Sequence, residues 1–267
     1  MRNAIRATVM LLISVGLAGF VAAQEEYTLK LQVKEGDTFK YRFTMEMTFG
    51  DTSAIVTMNI TNKVVKVDAD GNVVMESSSS DGMVKFGDQE MPIPASPATK
   101  TTFKPNGMPV KVEGGIDSAN ALRMARLNNH FFPDKAVKVG DKWSAEMKGE
   151  GNLPPLKGEY ELVAKEKVGD IDTLKIKFTI QEVANKKEGD APNMLDNANI
   201  SGHVWIDPKT GMLVRMNAKV KGMPAEGAPM PLDGTITMEH LIEAIVDYQQ
   251  RQRKFGAVLE PSVLTAP

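Results

Sequence analysis

No cysteine occurs anywhere in the 267 residues. That absence excludes disulfides, thiolate metal sites, a cysteine nucleophile and the lipid-bearing cysteine of a bacterial lipoprotein anchor, so stability has to come from packing and hydrogen bonds. Histidine is nearly as scarce. His130, His203 and His240 are the whole supply, and no two of them have the i, i+4 spacing with which a helix presents a zinc pair. Glu239 beside His240 is not such a motif. There is no Gly-x-Ser-x-Gly, the strained elbow that exposes a nucleophilic serine; Ser77 to Ser80 instead run into Asp81-Gly82 and read as a solvated strand end. Excess positive charge is missing too: 32 Lys and Arg stand against 34 Asp and Glu, which excludes a nucleic-acid footprint. The expectation is no enzyme, with no catalytic residue, no metal ligand and no cofactor.

What is present begins with an export signature. Residues 1–6 carry Arg2 and Arg6 without an acid, residues 7–20 are apolar, and Val21-Ala22-Ala23 puts small residues before Gln24. This reads as a signal peptide over 1–23, cleaved between Ala23 and Gln24. Its apolar run of about fourteen residues is shorter than the roughly 20 that span a bilayer. No stable transmembrane anchor is expected after cleavage, and no lipid anchor. The destination is the periplasm or the extracellular space. A disulfide-free exported chain of this size points to a bacterial envelope.

Two stretches echo each other at a constant offset. Lys34-Glu35-Gly36-Asp37-Thr38-Phe39 is matched by Lys138-Val139-Gly140-Asp141-Lys142-Trp143, and Pro105-Asn106-Gly107-Met108 by Pro208-Lys209-Thr210-Gly211-Met212; Gly36 to Gly140 and Gly107 to Gly211 are both 104 residues apart. The same order and spacing point to an internal duplication. The expected layout is a first β-rich half over 24–133, a second over 134–250, and a loose tail over 251–267.

Period two dominates both halves. Tyr27, Leu29, Leu31 and Val33 alternate with polar residues, and Phe39, Tyr41, Phe43, Met45, Met47 and Phe49 alternate with Lys40, Arg42, Thr44, Glu46 and Thr48. Leu174, Ile176, Phe178 and Ile180 continue the pattern. One wet face per strand is the mark of antiparallel sheets. The fold class expected is therefore mainly β, with antiparallel sheets from two related halves forming a β-sandwich or an incomplete barrel. Asp68-Ala69-Asp70-Gly71-Asn72, Asp81-Gly82, Pro105-Asn106-Gly107 and Asp207 to Gly211 read as hairpin turns. Residues 91–97 and 222–234 read as long loops. One short bridging helix is expected over 117–131, with Ala121, Met124, Leu127 and Phe131 on one face. Residues 238–248 fit either period, and a strand through Ile242 is the preferred reading.

Chemically suggestive residues have plainer explanations. Met45 and Met47 share a strand face, as thioether ligands for copper(I) would, but Phe43 and Phe49 extend that face and burial explains all four. The Asp68 loop has its glycine two positions early for a calcium loop. An outer-membrane barrel would need more long strands than the pattern supplies.

The run from Phe132 to Trp143, together with Gly202 to Gly211, resembles bacterial exported proteins of unknown function that carry duplicated β-rich halves. The resemblance rests on short motifs across most of the mature chain. It implies the β fold and no catalytic residue. The expected role is a non-catalytic envelope protein that binds a protein partner or stabilises an assembly. A second possibility is a carrier or sensor of an apolar, lipid-like small molecule, held in a half-barrel against the face formed by Phe39, Tyr41, Phe43, Met45, Met47 and Phe49. A third is an enzyme with an unrecognised site, which would need shifted titratable groups converging near a histidine.

Overall fold

Alternating side chains become twelve strands and one helix in the computed structural model, which describes residues 25–49, 52–115, 118–151, 153–183, 198–223 and 232–241. The expected signal peptide with its Ala23–Gln24 cleavage site, the Ile242–Tyr248 segment and the expected tail over 251–267 lie outside them. In chain order the elements are β1 (Thr38–Phe49), β2 (Thr52–Val67), β3 (Val73–Phe86), β4 (Gln89–Ile93), β5 (Thr99–Phe103), β6 (Pro109–Gly114), α1 (Ser118–Asn128), β7 (Lys142–Met147), β8 (Leu156–Val168), β9 (Ile171–Glu182), β10 (Asn199–Ile206), β11 (Leu213–Met223) and β12 (Leu232–His240).

All strands join one sheet, in the order β6-β5-β3-β2-β1-β12-β11-β10-β9-β8-β7, with β4 on β3. Every pairing is antiparallel. The link between the halves is β12, which pairs Met238 with Phe43 of β1 and with Met216 of β11. The ends of the order, β6 and β7, are not paired to each other among the described residues, so the barrel is not closed.

Curvature follows from the packing. Val112 of β6 and Val204 of β10 wall the same cavity although seven strand steps separate them, a distance of about 34 Å in a flat sheet at roughly 4.8 Å per strand. The sheet therefore curls around its apolar face. Inside it, Leu162, Leu174, Ile176, Phe178 and Ile180 are almost fully buried, and the main core runs from Met45 and Met47 on β1 to Leu156 and Tyr160 on β8.

Glycine permits the tightest approaches. A Cβ on Gly202 would stand 2.1 Å from the Asn217 carbonyl, so β10 and β11 meet there with no room for a side chain. At Asp81 (φ 52) two β3 residues oppose one on β2. Asp81-Gly82 is thus a bulge inside a 14-residue strand, and the Ser77 to Ser80 run lies mid-strand instead of at an end. The positive-φ backbone read as a hairpin serves a bulge equally well.

Other differences are local. Burial alternates along residues 27–33, with Leu29 and Val33 buried, but these residues form no ladder with a neighbouring strand. Their backbone bridges turns: Leu31 N–H donates to the Pro105 carbonyl at 2.8 Å, Gln32 N–H to Thr210 at 2.9 Å, and Tyr27 exchanges bonds with Val137. Met91 belongs to β4, Gly222 to β11 and Gly234 to β12, so both expected long loops are shorter. The helix ends at Asn128, where Asn129 Nδ2 donates to the Ala125 carbonyl at 2.6 Å; Phe132 then bonds back to Asn106, as suits a residue that Pro133 bars from helical geometry.

Candidate functional site

The helix lies on the concave side, and its hold on the sheet is electrostatic as well as apolar. Leu127 is 1 % exposed in the main core. One turn earlier, Arg123 donates to both carboxylate oxygens of Glu182, each at 2.7 Å, and Glu182 is only 2 % exposed. Arg126, also buried, donates to the Lys148 carbonyl at 3.0 Å. Trp143 Nε1 donates to the Phe131 carbonyl at 2.8 Å, and its ring stacks on Tyr160. These contacts seat α1 and the segment after it across the opening between the sheet edges.

Between the helix and the sheet is a cavity of about 400 Å³. Ala121, Met124 and Ala125 cover it; Tyr41, Ile60 and Met238 form the opposite wall. The small alanines are why space remains there. Strands β5 and β6 close one side and the β10–β11 turn the other. No Asp, Glu, Lys or Arg among the described residues contributes to the wall. The volume is at the lower end of the roughly 300–1,000 Å³ typical of small-molecule sites, and apolar walls with a few polar groups are their usual chemistry.

Two lining residues carry polar atoms that are sealed off from the cavity and unpartnered. Tyr41 is 1 % exposed, and its hydroxyl has no hydrogen-bond partner in the protein. Burial pushes the ionisation of that phenol well up, keeping it a neutral donor. His130 is partly buried as a residue, but its Nε2 is enclosed and unpartnered. Its ring stands edge-on to Phe178, with centroids 4.4 Å apart, and burial lowers its pKa to about 4. The imidazole is therefore uncharged at neutral pH.

The face of β1 divides among three settings. Tyr41 walls the cavity, whereas Phe43, Met45 and Met47 pack in the main core. Phe39 packs against a second cluster that contains Val64, Met75 and Phe103. Phe49 ends the strand, and its side chain lies outside the described residues. His130, two alanines of α1 and Met212 were not part of that sequence pattern. Only His130 carried a chemical signal; the rest are small or apolar residues from distant segments.

The other histidines have separate surroundings. His203 projects from the outer face beside Trp205, 6.2 Å between centroids, and is lowered by burial and by Lys175 and Lys177. His240 lies across from Tyr41 at 5.4 Å and is lowered by burial, with Asp207 opposing. Trp205 itself is covered by Lys175 and Arg215 and donates to Glu166. In the Asp68 turn the carboxylate accepts from the Asn72 side chain and from Asn72 and Asp70 N–H groups. Those bonds lower its pKa and give the carboxylate a turn-forming role. Among the described residues, no group of three or more His, Asp or Glu is arranged to hold a metal ion, and no helix is long and apolar enough to cross a membrane. No protein-family model matches the chain, and no curated protein matches it in sequence.

Proposed function

We propose that this chain is an exported, non-catalytic protein that holds an apolar small molecule between its curled sheet and α1. The observation that carries the reading is the uncharged cavity of about 400 Å³. Burying apolar surface there gives about 25 cal/mol per Å², enough for a chain-like molecule to bind without ionic contacts. The export signature in residues 1–23 supports an envelope or extracellular setting, where sparingly soluble molecules need a carrier or sensor. A protein-binding role would draw on the outer surface; the cavity puts the small-molecule role first.

A tandem origin of the two halves is part of the same proposal. Strands β1, β2, β3, β5 and β6 follow one another across the sheet as β7 to β11 do. The turns that open β1 and β7 make the same backbone bonds, with Gly36 N–H on Val64 and Gly140 N–H on Leu162.

The test is fluorescence titration of the leader-free protein with diphenylhexatriene, an all-hydrocarbon probe. Saturable binding is expected, weakened about tenfold or more, or about 1.4 kcal/mol, by Ala121→Phe and Ala125→Phe, which fill the cavity. Circular dichroism serves as the control for folding. Failure of the wild type to bind, or equal binding by correctly folded filled variants, would overturn the proposal.

A further inference from the structure

Independently of the cavity, we infer that the protein forms a two-fold dimer in which the free edge of β7 pairs antiparallel with β7 of a second copy, Ser144 opposite Ser144. The two ends of the sheet differ. β6 lies against α1, whereas β7 has β8 on one side and borders an open groove. The direction of its free bonds follows from the turn before it: Leu162 N–H donates to the Asp141 carbonyl at 3.0 Å, and bonding alternates along an antiparallel pair. Trp143, Ala145 and Met147 therefore bond to Tyr160, Gly158 and Leu156, and Lys142, Ser144 and Glu146 turn their N–H and C=O groups away from β8. None of those three has another backbone partner among the described residues. An edge of this kind is a template for a further strand.

Charge selects a second copy as the occupant. With Ser144 on the axis, Lys142 of each copy faces Glu146 of the other, and Trp143 faces Ala145, whose small side chain leaves room for the indole. Opposite charges directly across a strand pair attract. Lys142, Ser144 and Glu146 are exposed while Trp143, Ala145 and Met147 are half-buried, so this register sets exposed residues against exposed ones and half-buried against half-buried. Moving the axis to Trp143 or Ala145 would set Lys142 or Glu146 against Ser144 and lose both ion pairs. Charges that guard an edge against other strands work by one sign; here the two signs stand symmetrically about Ser144 and are self-complementary. Within its own chain Lys142 has only an exposed pairing with Glu161 at 3.6 Å, which competes weakly. A two-fold contact occupies the edge of both copies, so assembly stops at the dimer.

Sedimentation velocity of the leader-free protein at low salt, from micromolar to millimolar concentration, is expected to show a monomer–dimer equilibrium. Ser144→Pro removes the outward N–H on the axis and spares the bonds to β8, so it is expected to give a folded monomer. Lys142→Glu and Glu146→Lys each bring like charges together twice and are expected to weaken the dimer about tenfold or more; the double exchange restores opposite signs and should return it to within about threefold of wild type. The charge variants leave the backbone of β7 unchanged, so their comparison stands even where the proline variant folds poorly. A monomer at every concentration would overturn the inference, as would a dimer that none of the variants weakens or a double exchange as weak as the single changes. Growth beyond a dimer would also overturn it, since that requires head-to-tail pairing of β7 with β6 or another contact.

Discussion

Gly36 and Gly140 occupy two turns with matching hydrogen bonds, 104 residues apart. Their φ angles are 92° and 97°. In each turn the aspartate that follows accepts from the lysine two positions before the glycine, Lys34 N–H to Asp37 at 2.8 Å and Lys138 N–H to Asp141 at 3.0 Å. The glycines are there because the turn needs positive φ.

Alanine at either position therefore has to pay only for conformation. A Cβ on Gly36 or Gly140 would meet nothing within 4 Å, so each variant should lose about 1–2 kcal/mol, the two alike. Gly211→Ala should lose more, since its Cβ would lie 2.2 Å from the Lys30 carbonyl oxygen as well as at φ 71°. Urea unfolding of the three variants checks the ranking; a Gly211 variant as stable as the other two would contradict it.

The Arg123–Glu182 pair should be the most sensitive polar contact of the helix. Side-chain exposures of 16 % and 2 % mean that little water replaces a lost partner, and Glu182 also accepts from Ala198 N–H. Glu182→Ala should destabilise the fold by about 3–5 kcal/mol, whereas the double change Arg123→Leu with Glu182→Leu should recover much of the loss. Denaturant midpoints measure both. Hydrogen exchange should show the amides of α1 losing protection first in the single variant, because the pair ties helix to sheet.

Much of the fold is legible in the alternation of apolar and polar residues, and the reasons it stops there are specific. From Phe39 to Met47 the pattern tells which face is buried, and that is true of β1. The same pattern in Tyr27 to Val33 tells only that one side is buried; its hydrogen-bond partners are turns at Pro105 and Thr210, and nothing local distinguishes turns from a strand. The pairing of β12 between β1 and β11 joins residues nearly two hundred positions apart in sequence, beyond the reach of periodicity. The cavity is harder still. It exists because Ala121 and Ala125 are small where they face Tyr41 and Ile60, and a space is a difference between side chains from distant segments.

His130 should give the protein an acid-sensitive stability. Its pKa is lowered by burial to about 4 from an ordinary 6.5, so below pH 6.5 the unfolded chain takes up a proton that the folded one refuses. Stability is thus full above pH 6.5 and falls as the pH drops toward 4, by on the order of 3 kcal/mol from this residue. His203 and His240 are also lowered by burial and add with the same sign. His130→Phe should leave a shallower decline of melting temperature between pH 6.5 and 4. An unchanged slope would show that the imidazole reaches water.

Tyr41→Phe should raise the stability of the fold. A hydroxyl held in a bond inside the protein would make this change destabilising, as deletion of one partner strands the other. Tyr41 Oη has no such partner, and the residue is 1 % exposed, so folding strips the hydroxyl of water without a return. Removing it should raise the unfolding free energy of the ligand-free protein by about 1 kcal/mol or more, while the ring keeps its contacts beside Ile60 and His240. Thermal unfolding measures the effect: the variant should melt higher than the wild type. A variant that melts lower would mean that the hydroxyl serves the fold.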